Sequence, residues 1–264
     1  HEAQLEKIKD ELQAQGRDRE KGELGRRGWF RENTDGTVKF EDDSEGLWYI
    51  LQFPDNPNSF TKSEVYGTTR YKPNNTSYGG AGLDPISNAG ETVEKGSDPC
   101  VIIRRRFSLL DPDKSGCPVA MLLGRMSSKK LFNRQVFLGI KYYGVKLLGE
   151  RAPTDWVDYA KENGYTDYLV GIQRSDGTMV YGAPPSNKDV AEEHLTVMKD
   201  SSENDVEKIW FRRLIEDRLS FDINNRTDYD CAMADGYSLI AIKEPIREAK
   251  KPKNRRVLMK GSIL

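Results

Sequence analysis

Apolar side chains along this chain are sparse, and their spacing changes character several times. Over residues 2–21, Leu5, Ile8 and Leu12 stand at helical intervals among Glu, Lys, Asp and Arg, which predicts an amphipathic helix with a narrow apolar stripe. Three such side chains contribute at most about 2 kcal/mol each, whereas ordering a residue costs on the order of 1–2 kcal/mol. Such a helix needs a surface to lie on. From Gly25 to about Lys72 the pattern turns to aromatic and β-branched runs: Trp29-Phe30, Val38-Lys39-Phe40 and Leu47 to Leu51, with Asn33-Thr34-Asp35-Gly36 between the first two. Asp-Gly between such runs predicts a hairpin, because a type I′ turn needs positive φ at both central residues. Residues 72–99, rich in Asn, Ser, Gly and Pro, read as one long polar loop.

Val101 to Ile103 and Val119 to Leu123 read as strands separated by a Pro/Asp/Gly turn. Leu131 to Leu148 fits a strand pair turned near Gly139 or Gly144 about as well as one helix, and is read as strand. Asp155 to Asn163 reads as a short helix, with Thr154 as N-cap and Gly164 beyond its end. Tyr168 to Gln173 and Thr178 to Tyr181 flank a second Asp-Gly turn at Asp176-Gly177. A helix is expected from Asn187 to Lys199, with Ser186 and Asp189 at capping-box spacing. Another begins at Asn204 and places Val206, Ile209, Trp210, Phe211 and Leu214 on a buried stripe. Cys231 to Ala234 and Tyr237 to Ile242 read as a closing strand pair turned at Asp235-Gly236. After Pro245 the chain is rich in Lys and Arg and reads as an extended tail. No internal repeat is visible.

The fold class that follows is α+β, mainly antiparallel hairpins with three or four helices, an extended N-terminal helix and a basic C-terminal tail. Its organisation is a helical arm at 1–24, a single domain at 25–244 carrying the long loop at 72–99, and the tail at 245–264.

Composition narrows the function classes. The 264 residues are 36% hydrophobic and 31% charged, with a mean hydropathy of −0.73, which marks a polar globular chain with room for a core. Forty-one Lys and Arg nearly balance 42 Asp and Glu, for a net charge of −1. The whole chain is therefore neither a broadly basic nucleic-acid protein nor an acidic tail. No apolar run reaches the roughly 18 residues a membrane span requires. Cys100, Cys117 and Cys231 form no C-x-x-C pair and leave an odd thiol, which points to a reducing, intracellular compartment, or to an organelle or virion reached after processing. The opening His1-Glu2-Ala3 carries no Met and no signal pattern, so either a leader has been removed or the numbering starts inside a longer product. Asn74-x-Thr76, Asn75-x-Ser77 and Asn225-x-Thr227 match the glycosylation pattern but read as polar turns.

Candidate chemistry is thin. Asp111-Pro112-Asp113-Lys114-Ser115-Gly116 starts like an EF-hand loop, but position 8 is Pro118 and position 12, where a bidentate Glu must close the shell, is Leu122. Gly79-Gly80-Ala81-Gly82 lacks the flanking strand and helix of a phosphate loop and reads as flexible loop. His1 and His194 are the only histidines, and His194 reads as a solvated helix residue rather than a base. Glu216-Asp217 and Asp228/Asp230 offer an acid pair for hydrolysis or a magnesium site, expected to line a pocket if real. A thioether-linked chromophore on one of the thiols is the one prosthetic group weighed, and none is assigned. Neither a catalytic residue nor a metal ligand is assigned.

Arg104-Arg105-Arg106-Phe107, Trp210-Phe211-Arg212-Arg213 and the tail from Arg247 to Lys260 combine arginine with aromatics, which suits protein interfaces or, second, nucleic acid. Residues 1–22, 72–99 and 245–264 hold too little apolar surface to order themselves, so neighbouring subunits are expected to hold them. The resulting expectation is a non-catalytic structural, linker or scaffold subunit of a large assembly. Its partner-binding residues would be Leu5, Ile8, Leu12, Arg104, Arg105, Arg106, Arg255 and Arg256. The alternatives are a nucleic-acid-associated protein with a local arginine and aromatic face, or an acid-dependent hydrolase or nuclease.

Overall fold

The computed structural model describes residues 1–74, 78–85, 98–107, 111–173, 176–183, 188–222 and 228–243, with only the backbone described at 172, 188–191 and 243. The tail, with Arg255 and Arg256, and the glycosylation-type triplets ending at Ser77 and Thr227 lie outside these residues, as do Arg174-Ser175, Ser186 and Asn187.

In chain order the elements are α1 (Glu2–Ala14), β1 (Arg26–Glu32), β2 (Val38–Asp42), β3 (Trp48–Ile50), β4 (Phe60–Val65), β5 (Thr68–Pro73), β6 (Gly79–Asp84), β7 (Cys100–Arg105), β8 (Pro118–Leu123), α2 (Lys129–Tyr143) and β9 (Lys146–Gly149). They continue with α3 (Asp155–Glu162), β10 (Gly171–Gln173), β11 (Met179–Tyr181), α4 (Lys188–Asn204), α5 (Arg212–Ser220) and α6 (Asp230–Lys243). Helices and sheets are thus mixed, as an α+β class requires. The main sheet runs β2-β1-β3-β8-β7-β6-β9. All its pairs are antiparallel except β6 with β9, which run parallel. β4 with β5 and β10 with β11 make two separate hairpins.

Strand side chains alternate between two faces, and each face has its own cover. Val101, Ile103, Ala120 and Leu122 pack with Phe132, Val136, Phe137 and Ile140 of α2 and Trp156 and Ala160 of α3. Cys100, Ile102 and Met121 face the other way, onto Ile8 and Leu12 of α1, Leu214 and Ile215 of α5, and Cys231 and Ala234 of α6. The sheet is sandwiched, with α2 and α3 on one side and α1, α5 and α6 on the other.

Both Asp-Gly hairpins form as read, β1–β2 around Asp35-Gly36 and β10–β11 around Asp176-Gly177. Helix α3 sits where it was expected, although Thr154 makes no capping bond to its backbone. Several expectations change. Leu131 to Leu148 is helix α2 followed by β9, because Phe132, Val136, Ile140 and Tyr143 keep helical spacing and the Ser128 hydroxyl accepts from the Leu131 N–H at 3.2 Å. Within the expected loop, Gly79–Asp84 is a buried strand at the heart of the sheet. The helix expected from Asn204 is instead the end of α4, a 3-10 turn at Val206–Lys208, an extended stretch and α5. Extended backbone at Ile209 to Phe211 turns alternate side chains inward, so Ile209 and Phe211 are fully buried while Trp210 is 37% exposed. The expected closing strand pair at 231–242 is a single helix, α6.

The N-terminal helix is not free of the body. Gln4 lies under the same seam and its Nε2 donates to the carbonyls of Glu207 (3.3 Å) and Ile209 (2.8 Å). Among the described residues no helix is long and apolar enough to cross a membrane, and the three cysteines are free.

Candidate functional site

The Gly-Gly-Ala-Gly-Leu-Asp run of β6 alternates small residues on one face with Ala81 and Leu83 on the other. The small face is what lets α6 approach. A Cβ on Gly82 would stand 1.8 Å from the Ala234 carbonyl oxygen, and one on Gly80 would stand 2.9 Å from the Ala241 Cβ. Helix α6 therefore lies directly on the strand, with its N-terminus over the strand's carboxyl end.

A buried ion cluster locks this geometry. Asp235 of α6 receives the Arg104 guanidinium of β7 at 2.6 and 2.9 Å and the Arg218 guanidinium of α5 at 3.1 Å. Ser238 and Ser201 supply further oxygens to the two arginines, and the Gly116 carbonyl accepts from Arg104. Against burial, which alone would raise it, the two arginines hold the Asp235 carboxyl below the usual carboxylate range. With Asp235 satisfied in this way, the Asp235-Gly236 pair needs no turn.

Carboxylates converge where β6, β9 and α6 meet. Asp84 ends β6, and across the parallel pair Leu83 stands opposite Gly149, so Glu150 is its neighbour at the end of β9. The Trp156 indole N–H holds the Glu150 carbonyl at 2.9 Å, and the Glu150 N–H reaches the Leu83 carbonyl at 3.4 Å. Asp230, in the first turn of α6, hydrogen-bonds Asp84 side chain to side chain. Burial pushes the Asp84 carboxyl well above the usual range, and the charges of Asp230, Glu150 and Asp217 push the same way. Asp217 of α5 stands behind this pair, accepting from the Cys231 N–H at 2.9 Å and facing Arg213 Nε at 2.9 Å. Burial raises it to about 6, with Arg213 acting in opposition. Four carboxyl groups from four elements thus share one enclosed region, which carries excess negative charge whenever they ionise.

Cys100 lies opposite Asp84 in the β6–β7 register and Cys231 follows Asp230. Their sulfurs are 3.3 Å apart. Burial raises both thiols, Cys100 to about 11, so they are neutral packing groups rather than nucleophiles.

Of the acids singled out in the sequence, Asp217 and Asp230 reach this cluster. Glu216 pairs with Arg212 instead, and Asp228 is exposed. Asp84 and Glu150 carried no local signal beyond their position at the ends of apolar runs. His194 is buried rather than solvated: its Nε2 lies 3.0 Å from the Met233 carbonyl, its ring packs on Tyr237, and Gly236 leaves it room.

The residues assigned to partner binding have these places. Ile8 and Leu12 are fully buried in this chain's own core, with Leu5 packed at its margin. Arg104 is 1% exposed inside the Asp235 cluster, because burial of a guanidinium demands a fixed carboxylate, so it faces no partner. Arg105 and Arg106 are half-buried, Arg105 pairing with Asp111 at 3.3 Å and lying over the Tyr78 ring. No protein-family model matches the chain, and no curated protein shows a significant similarity to it.

Proposed function

We propose that this chain is a divalent-cation-dependent hydrolase of phosphodiesters, with nucleic acid as its substrate. The observation that carries the reading is the meeting of Asp84, Asp230 and Glu150 at the carboxyl ends of β6 and β9. In sheets with parallel strands, ligands bind outside those carboxyl ends, where the strand order changes direction. Here the order changes direction at β6, between antiparallel β7 and parallel β9.

The donor set fits a hard cation: carboxylate oxygens suit magnesium or manganese, whereas neutral buried thiols do not compete for it. As they stand, no group of three His, Cys, Asp or Glu side chains among the described residues is arranged to hold a metal ion. Asp84 and Asp230 face each other through a hydrogen bond, and a cation between them would replace the shared proton and relieve the repulsion that lifts Asp84. Asp84 and Asp230 would then grip it from two sides, with Glu150 completing the oxygen set and Asp217 steadying the α6 N-terminus. Bound there, a divalent cation polarises the phosphoryl oxygen and lowers the pKa of a water. A purely structural role draws less support, because Ile8, Leu12 and Arg104 are spent inside the chain.

The test is incubation of the full chain with single-stranded DNA, duplex DNA and RNA in manganese or magnesium. Strand scission is expected with metal and none with chelator. Asp84→Asn and Asp230→Asn should each lower it by at least about 100-fold while keeping the circular dichroism spectrum, since an amide mimics the protonated carboxyl. Absence of scission on all substrates, or scission that survives chelation or both substitutions, would overturn the reading.

A further inference from the structure

The sheet edge that carries Asp84 and Glu150 continues past them to a second feature. Cys100 of β7 stands opposite both Asp84 and Leu123, and Trp48 of β3 stands opposite Leu122 and Gly28. The carboxyl ends of β9, β6, β8 and β1 and the N-terminus of α2 therefore lie along one edge. Beside that helix terminus, Trp29, Arg31, Arg125, Met126, Leu131 and Arg134 line a cleft of about 400 Å³.

We infer that this cleft holds the backbone and bases of a polynucleotide whose phosphodiester lies at Asp84, Glu150 and Asp230, an inference that rests on the hydrolase reading above. Neighbouring strands are about 4.8 Å apart. The cleft thus runs from about 10 Å (β8) to about 19 Å (β1) from the carboxylates, which at ~3.4 Å per nucleotide is roughly three to six nucleotides of one strand.

The lining has two kinds of group that a polynucleotide requires together. Arg31, Arg125 and Arg134 present planar forks that match phosphate oxygens. Trp29 and Leu131, the latter 47% exposed, present apolar faces on which bases stack. The charges are not all of one sign. Arg31 meets Glu41 at 3.3 Å, Arg125 meets Asp98 at 3.5 Å, and Glu45 lines the same cleft. The Arg31 pair is exposed on both sides, and the Arg125 pair on its Asp98 side. Such pairs hold weakly, so a phosphate can take the carboxylate's place, and a net charge of −1 leaves the chain reliant on this local patch for a polyanion. An acidic peptide would use the arginines and leave the stacking faces idle.

Binding of a labelled single-stranded oligonucleotide by the full chain carrying Asp84→Asn, followed by fluorescence anisotropy across a salt series, tests this. Adding Arg31→Ala with Arg134→Ala should weaken binding at least about tenfold and lower the slope of log affinity against log salt by about 1 per arginine. Trp29→Ala should weaken binding with the slope unchanged, and Glu45→Lys should tighten it. Unchanged affinity and slope in the arginine variant, or a preference for an acidic peptide over the oligonucleotide, would overturn the inference. Cleavage of bis(p-nitrophenyl) phosphate with manganese, a diester too short to reach the cleft, separates the two claims. It should be the same in wild type and cleft variants. If wild type cuts neither this diester nor a polynucleotide, the hydrolase reading fails, and the salt series still decides the cleft.

Discussion

Gly82 has no room for a methyl group. The atoms a Cβ would meet are backbone, the Ala234 oxygen at 1.8 Å and the Ser238 nitrogen at 2.3 Å, so relief requires moving α6 as a body. Overpacking ordinarily costs about 1–3 kcal/mol, and Gly82→Ala is expected at or above the top of that range. The urea midpoint measures it; a loss under about 1 kcal/mol would mean that α6 does not pack as closely as described. Glu23 makes a different residue-level statement. Burial raises its carboxyl to about 7 although it accepts from the Arg213 and Arg212 N–H groups. Because the folded value exceeds the unfolded one, its contribution is complete below about pH 4.5 and is lost as pH rises through about 7. Asp217, raised to about 6, acts in the same direction, whereas Asp235 titrates below the usual carboxylate value and is silent in this window. Stability should therefore fall between about pH 5 and pH 8, by roughly 3 kcal/mol from Glu23 alone. Glu23→Gln should flatten that part of the slope in chemical denaturation; an equally steep profile in the variant would assign it elsewhere.

At the scale of elements, α1 shows how far a thin apolar stripe can be trusted. Leu5, Ile8 and Leu12 were legible as one face of a helix, but what that face meets was not. The face lies on Ile102, Met121, Phe211 and Ile215 of the same chain, and Arg19, paired with Glu6 and Asp10, ties the returning segment to it. Amides of residues 2–14 should therefore be protected from hydrogen exchange in the isolated monomer, and Leu12→Ala should cost about 2–5 kcal/mol. Exchange at the free-peptide rate there, with the sheet still protected, would detach the helix from the body. The hairpins at Asp35-Gly36 and Asp176-Gly177 were legible because turn chemistry is local: two residues set the chain reversal whatever packs around them. The same dipeptide at Asp235-Gly236 misleads for a tertiary reason. Arg104 and Arg218, distant in sequence, neutralise Asp235, and His194 needs the space at Gly236, so the helix runs straight through. Gly79 to Gly82 misleads likewise, since a strand with no β-branched residue looks like loop until a helix is laid upon it.

At the scale of the whole molecule, composition, the lack of a long apolar run, unpaired cysteines, local turns and the alternation of amphipathic segments are all properties of short windows, and all could be read from the order of residues. The candidate site is not of that kind. Asp217 and Asp230 were suspect as acids close in sequence, but Asp84 and Glu150 are remote, ordinary carboxylates until the parallel register of β6 and β9 sets them side by side and α6 descends on them. Strand order, register and helix placement depend on summed long-range burial, such as two faces of one sheet each finding its cover, and no single window of sequence contains that sum. For the same reason the arginines and the tryptophan of the α2 cleft, drawn from β1, the β8–α2 connection and α2, share one edge with the carboxylates only once the sheet has closed.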